Sequence, residues 1–173
     1  MVDEIELELT YLAKRLPDGL EKHKHKEVLD IYLPKSAAHP TLRLRKSGDR
    51  FMITKKEPVN GSDSSHMLEQ TIPLTAIEFG ELSQLEGKRL RKIRYSYDYK
   101  GAKIEVDIFQ DALKGLVLID FEFNDPQAKA AFIAPDFCLA EVKQEAFIAG
   151  GMLCGKNYSD IEAQLCAFKY KKL

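Results

Sequence analysis

The stretch KIEVDIFQDALKGLVLIDFEF, residues 103–123, carries charges at every second position twice over, as Glu105-x-Asp107 and Asp120-x-Glu122. The residues between each pair are apolar, Val106 and Phe121, and Lys114-Gly115 marks a turn between the two runs. Side chains alternate faces along a strand, so each run reads as a β-strand with one charged and one apolar face. The pattern recurs upstream in Glu6-x-Glu8, Arg43-x-Arg45, Lys92-x-Arg94 and the weaker Thr54-x-Lys56, with the two signs on different strands. Half-buried strands ordinarily turn a polar face to water. A sheet curled on itself would instead bring acids and bases together inside. Periodicity alone leaves both arrangements open.

Working outward, residues 4–13, 27–33, 41–46, 50–56, 67–72, 90–99, 102–109 and 116–123 read as strands. Ser47-Gly48-Asp49 and Lys100-Gly101 are hairpin turns, and Asn60 to Ser65 is a flexible connection. Thr75-x-x-Glu78 has capping-box spacing and opens a helix carrying Phe79, Leu82 and Leu85, ended by Gly87. Ser159-x-x-Glu162 is a second such box, followed by an apolar stripe of Ile161, Leu165 and Phe168. The expected class is mainly β (α+β). It is an eight-stranded antiparallel β-barrel with a polar tunnel and helices packed outside. A single domain spans residues 1–173, with barrel strands over about 4–123 and a mainly helical segment over 125–173. A polar lumen requires the apolar set to face outward, and the two helical segments are the available cover.

With 31% charged and 45% hydrophobic residues and a net charge of −1, the 173-residue chain has a globular balance. That charge argues against a broad nucleic-acid footprint, though not against a local basic pocket. The start MVDEIELEL has acids where a signal peptide needs bases, and no apolar run approaches ~18 residues. The expectation is a soluble cytoplasmic protein with no nucleic-acid or membrane partner. Cys138, Cys154 and Cys166 give neither a disulfide framework nor a zinc signature and read as small buried hydrophobes. His23 and His25 read as part of a solvated loop, and His39 and His66 also fall in polar, loop-like stretches.

The candidate lumen acids are Glu6, Glu8, Glu69, Glu105, Asp107, Asp120 and Glu122, and the bases Arg43, Arg45, Lys56, Lys92 and Arg94. So many carboxylates would repel one another unless cations joined them. Hard divalent cations take oxygen ligands, and Mg²⁺ is held by a few carboxylates plus substrate phosphates. Arginine forks match phosphate oxygens. Acids for metal facing bases for phosphate suggest a site for a metal-bound polyphosphate.

In order along the chain, Glu6-Leu-Glu8-Leu-Thr10, Tyr32-Leu33, Arg43-x-Arg45, Gly48-Asp49, Thr54-x-Lys56, Glu69 with Ile72-Pro73, Lys92-x-Arg94-Tyr95, Glu105-x-Asp107-x-Phe109, Leu113-x-Gly115-Leu116 and Asp120-x-Glu122 form a set. The set resembles the CYTH superfamily, also called the triphosphate tunnel metalloenzymes, over about residues 4–125. The resemblance implies an eight-stranded barrel whose basic residues hold a triphosphate and whose acidic ones hold Mg²⁺ or Mn²⁺. It implies catalytic roles for Glu6, Glu8, Lys56 and Arg94. Arg43, Arg45, Lys56, Lys92 and Arg94 would bind substrate. Glu6, Glu8, Glu69, Glu105, Asp107, Asp120 and Glu122 would bind metal. The substrate would be a triphosphate-containing small molecule, most readily inorganic tripolyphosphate, and the protein a monomer or homodimer.

The chain departs from the family where the opening motif E-x-E-x-K has Thr10 in place of lysine. Met67 and Thr71 occupy positions that often carry acids, and Ala149-Gly150-Gly151-Met152 stands near the place of the family's Tyr/Asn element. Losing one catalytic cation could cost on the order of 10²-fold in rate. Hydrolysis therefore has an alternative in a non-catalytic polyphosphate or nucleotide binder. Adenylate cyclase ranks below both, because no adenine pocket is identifiable.

Overall fold

Residues 2–59, 66–100 and 102–173 are described by a computed structural model, with side chains for all of these except residues 2–6 and 66. The connection read over Asn60 to Ser65, and Gly101 of the second hairpin turn, lie outside the described residues. The strands are β1 (Val2–Ala13), β2 (His25–Leu33), β3 (Leu42–Ser47), β4 (Arg50–Pro58), β5 (His66–Leu74), β6 (Lys88–Tyr99), β7 (Ala102–Phe109), β8 (Val117–Phe123) and β9 (Cys138–Glu141). The helices are α1 (Ala76–Leu82), α2 (Pro126–Ala130), α3 (Gly150–Leu153) and α4 (Tyr158–Ala167).

The strand order is β5-β4-β3-β2-β6-β7-β8-β1, and β1 also pairs with β5, so the pairings run in a ring. Strand β1 does this by dividing its length. Val2 to Leu7 pair with β5, and Leu7 to Leu12 pair with β8. Gly48 supplies the positive φ, 59°, that lets a two-residue link join β3 to β4. Strand β9 was not expected; it pairs with Tyr11 to Ala13 of β1. Its sequence, Cys-Leu-Ala-Glu, is too short to show a period.

The register sorts the side chains as the alternation requires. Opposite residues in a ladder share a face. Glu8 opposes Glu122, Thr10 opposes Asp120, and Leu12 opposes Leu118. Likewise Arg94 opposes Asp107 and Lys92 opposes Phe109. The inward set therefore passes from charged to apolar along the barrel axis. Leu12, Tyr32, Leu90, Phe109 and Leu118 join Val142, Ile148, Leu153, Ile161 and Leu165 in one buried cluster that closes this end. Full burial of one such side chain is worth about 1.5–3 kcal/mol.

The outward apolar set is covered in two patches. Helix α1 places Phe79 and Leu82 against Ile31, Leu44 and Ile53. Leu20, Phe132 and Phe137 cover Val106, Ile119 and Phe121. The expected cover by the C-terminal helix is corrected, because α4 packs its Ile161 and Leu165 into the end cluster instead. The Thr75–Glu78 box forms as read, with Glu78 N–H donating to the Thr75 hydroxyl. The second box forms two residues earlier than read: Asn157 is the cap, and its N–H donates to Asp160 at 2.8 Å. Starting α4 there draws Tyr158 into the core. Cys154 is buried, but Cys138 is only half-buried and Cys166 is exposed. His25 and His66 begin strands rather than lying in loops. Among the described residues, no helix is long and apolar enough to cross a membrane.

The tail is fastened by Tyr170. Its buried phenol accepts the Val117 N–H at 2.8 Å and donates to the Gly115 carbonyl at 2.9 Å. Tyr170→Phe should destabilise the fold by about 1–3 kcal/mol in urea denaturation, since it strands a buried backbone donor.

Candidate functional site

A cavity of about 560 Å³ is lined by residues of all eight barrel strands and by the segment that follows β9. Each site residue read from the sequence whose side chain is described lines it: Glu8, Arg43, Arg45, Lys56, Glu69, Lys92, Arg94, Glu105, Asp107, Asp120 and Glu122. Glu6 lies opposite Met67 in the β1–β5 register, and its side chain is outside the described residues.

Two buried aspartates organise the bases. Asp30 of β2 faces Arg45 of β3 across the ladder, and the guanidinium grips it through Nε at 2.6 Å and Nη2 at 2.8 Å. Arg43 Nε lies 3.9 Å from the same carboxylate. Burial works to raise the Asp30 carboxyl, but Arg45, Arg43 and Lys92 outweigh it and hold it at about 2. Asp107 of β7 takes the same part for β6. Arg94 donates to both its oxygens at 2.7 and 2.6 Å, and Lys92 pairs with one of them. Burial again opposes ionisation, and Arg94 and Lys92 again hold the carboxyl well below its usual range. Arg94 reaches further, pairing with Glu105 and lying 3.5 Å from Asp120.

A second group centres on Glu8. Lys56 lies 3.7 Å from one of its oxygens and 3.7 Å from Glu69, while Lys143 pairs with the other oxygen of Glu8. The Thr10 hydroxyl donates to Asp120 at 2.7 Å. Burial, Glu8 and Asp107 together push the Asp120 carboxyl up to about 6. Partial burial, Glu105 and Glu8 raise Glu122. At the closed end, a Cβ added at Gly150 would lie 2.1 Å from the Tyr32 hydroxyl, so only glycine permits this segment to pack so closely.

No protein-family model matches the chain. An inorganic triphosphatase from Nitrosomonas europaea is 33% identical to it over 141 residues, which are 81% of this chain and 90% of that protein. The chain belongs to the CYTH, or triphosphate tunnel, superfamily. A crystal structure of an inorganic triphosphatase matches this CYTH chain with a TM-score of 0.63 at 27% identity, over 86% of this chain and 93% of the other. A Hippeastrum adenylyl cyclase candidate with a dominant triphosphatase activity gives a TM-score of 0.53 at 12% identity, over 95% and 88% of the two chains. That likeness concerns the CYTH fold alone.

The carboxylates of this CYTH lumen fall into two kinds. Asp107 is committed: both oxygens hold Arg94 and Lys92, so its geometry is that of an anchor for bases. Asp120 and Glu122 instead have their proton affinity raised, Asp120 by burial, Glu8 and Asp107, and Glu122 by burial, Glu105 and Glu8. A hard divalent cation would relieve that repulsion, and these oxygen donors fit one. Among the described residues, no three His, Cys, Asp or Glu side chains are already gathered as a ligand set.

Two lumen residues that pair with the predicted set, Asp30 and Lys143, escaped the sequence reading. Asp30 sits in EVLDIYL, where it has no charged residue two positions to either side. Its register against Arg45 is what marks it. Lys143 belongs to no strand or helix and enters the lumen through tertiary contacts alone.

Proposed function

We propose that this CYTH chain binds inorganic tripolyphosphate in its barrel and hydrolyses it with the help of Mg²⁺ or Mn²⁺. The observation that carries this reading is Arg43. Its buried Nε has no hydrogen-bond partner among the described residues, within a lumen also lined by Arg45, Lys56, Lys92 and Arg94. A buried donor left unpaired is costly, and an anionic oxygen would satisfy it. The name of the Nitrosomonas relative supports the choice of substrate.

Arg45 and Arg94, each guanidinium aimed by a buried aspartate, would position the phosphate chain, with Arg43 beside them offering the Nε that has no hydrogen-bond partner among the described residues. Lys56, between Glu8 and Glu69, would meet oxygens of one phosphoryl group. Glu8, Glu105, Asp120 and Glu122, with Glu6 and Glu69 expected beside them, would hold the cation, which when bound neutralises phosphate oxygens. Water attacks the terminal phosphorus and the bridging P–O bond breaks, giving orthophosphate and pyrophosphate. The apolar closed end of the lumen keeps bulk water from that side.

A second reading, binding without turnover, is favoured by Thr10, whose hydroxyl is committed to Asp120 and carries no charge. Phosphate release from tripolyphosphate, measured with Mg²⁺ and with Mn²⁺, separates the two. Wild type should release phosphate, and Glu8→Gln should be slower by about 10²-fold or more. No release above the variant with either metal, alongside tight calorimetric binding, would leave the binder as the function.

A further inference from the structure

We propose that Lys143 is a phosphate-binding residue that supplies the charge missing at Thr10. The inference rests on the triphosphate reading above and goes beyond it by naming a residue outside the opening motif. Thr10 faces the lumen between Glu8 and Leu12, where the opening motif of the family has a lysine. The chain brings another cation to the same level by a different route. Strand β9 pairs Glu141 with Tyr11, and the Val142 N–H donates to the Thr10 carbonyl at 2.8 Å. The next residue is Lys143, so its side chain departs from beside Thr10. Its N–H is fixed by the Glu141 carboxylate at 2.5 Å. The side chain is 13% exposed and ends on Glu8 inside the cavity.

Neutralising Glu8 does not by itself account for Lys143. Lys56 already lies 3.7 Å from the other oxygen of that carboxylate. Two ammonium groups therefore share Glu8, and Lys56 also reaches Glu69 at 3.7 Å, so Lys143 stands inside the lumen where an entering anion would meet its ammonium. Buried ammonium groups are stabilised by anionic partners, and a phosphate oxygen would be a further partner for this one. An ammonium is a point charge on a flexible stem, so it can turn from Glu8 to a ligand without moving the backbone.

The test is calorimetric affinity for tripolyphosphate, with and without Mg²⁺, for wild type, Lys143→Met, Lys143→Arg, Thr10→Lys and the double variant Thr10→Lys/Lys143→Met. Thermal stability of each is recorded alongside. Lys143→Met should weaken binding by about tenfold or more, the equivalent of one lost charged contact. Thr10→Lys should restore most of that affinity in the double variant. It should gain less in wild type, because the two lysines would share one function. Lys143→Arg, which keeps the charge, should retain most of the affinity. Wild-type affinity in a folded Lys143→Met overturns the proposal. So does a loss that Thr10→Lys fails to rescue, or one equally large in Lys143→Arg, since either would show that packing rather than charge was lost. If wild type itself fails to bind tripolyphosphate, the proposed function falls and this inference with it. Binding by wild type with no effect of Lys143→Met removes only the latter.

Discussion

Replacing Arg94 by lysine should lower kcat/KM for tripolyphosphate hydrolysis by about 10²–10³-fold, the cost of removing one preorganised donor from a charge-stabilised reaction. Arg94 is held by more groups than any base a lysine could imitate. Its Nε and Nη2 clasp Asp107 at 2.7 and 2.6 Å, Nη1 pairs with Glu105, and Nη2 lies 3.5 Å from Asp120. That clasp fixes the plane of the guanidinium before any ligand arrives. A lysine could keep the charge beside Asp107 but could not also present a second donor in a fixed direction. The variant should remain folded, because the charge is kept and Lys92 also pairs with Asp107. Phosphate-release kinetics check the prediction, and a wild-type kcat/KM would exclude Arg94 from the reaction.

Asp30→Asn should destabilise the fold by about 3–5 kcal/mol in urea denaturation at neutral pH. Asp30 is 1% exposed and is the counter-ion for Arg45 and Arg43. The variant leaves two guanidinium groups inside the barrel without it. The sign with pH follows from the held-down carboxyl. A depressed carboxylate stabilises the fold above its ordinary value of 3.8 and loses that contribution as the pH falls through about 2. The gap between wild type and variant should therefore be full at neutral pH and close only in strong acid. A gap that is already closed at pH values well above 3.8 would show that the Asp30 carboxylate is not what stabilises this layer.

The strands were legible because they carry chemistry on a strict period of two, and the ordered set's resemblance to the CYTH superfamily chose the inward-facing arrangement that periodicity left open. Glu105-x-Asp107 and Lys92-x-Arg94 declare one face by charge, and Leu90, Phe109 and Leu118 continue the same parity into the closed end. Turn residues fixed the hairpins, so the register followed. The acid–base partnerships were not legible, because a pattern of alternation does not say which aspartate meets which arginine. Asp107 illustrates this: as an acid in an acidic pair it reads as a metal ligand, and its two basic neighbours across the β6–β7 ladder make it an anchor. Strand β9 and Lys143 were hidden for a different reason. They are set by where the chain returns to β1 after β8, which no local spacing records. The helical stripe of α4 showed that a face would be buried, but not that it would close the barrel end.

The central claim is that the charged lumen takes a triphosphate chain, and a crystal structure of the protein soaked with tripolyphosphate tests it most directly. Three linked phosphates should lie inside the barrel, with an oxygen within hydrogen-bond distance of Arg43 Nε and others on Lys56, Arg94 and Lys143. Tripolyphosphate bound on the outer surface, with the lumen bases still engaged by the lumen carboxylates and no phosphate oxygen among them, would contradict it.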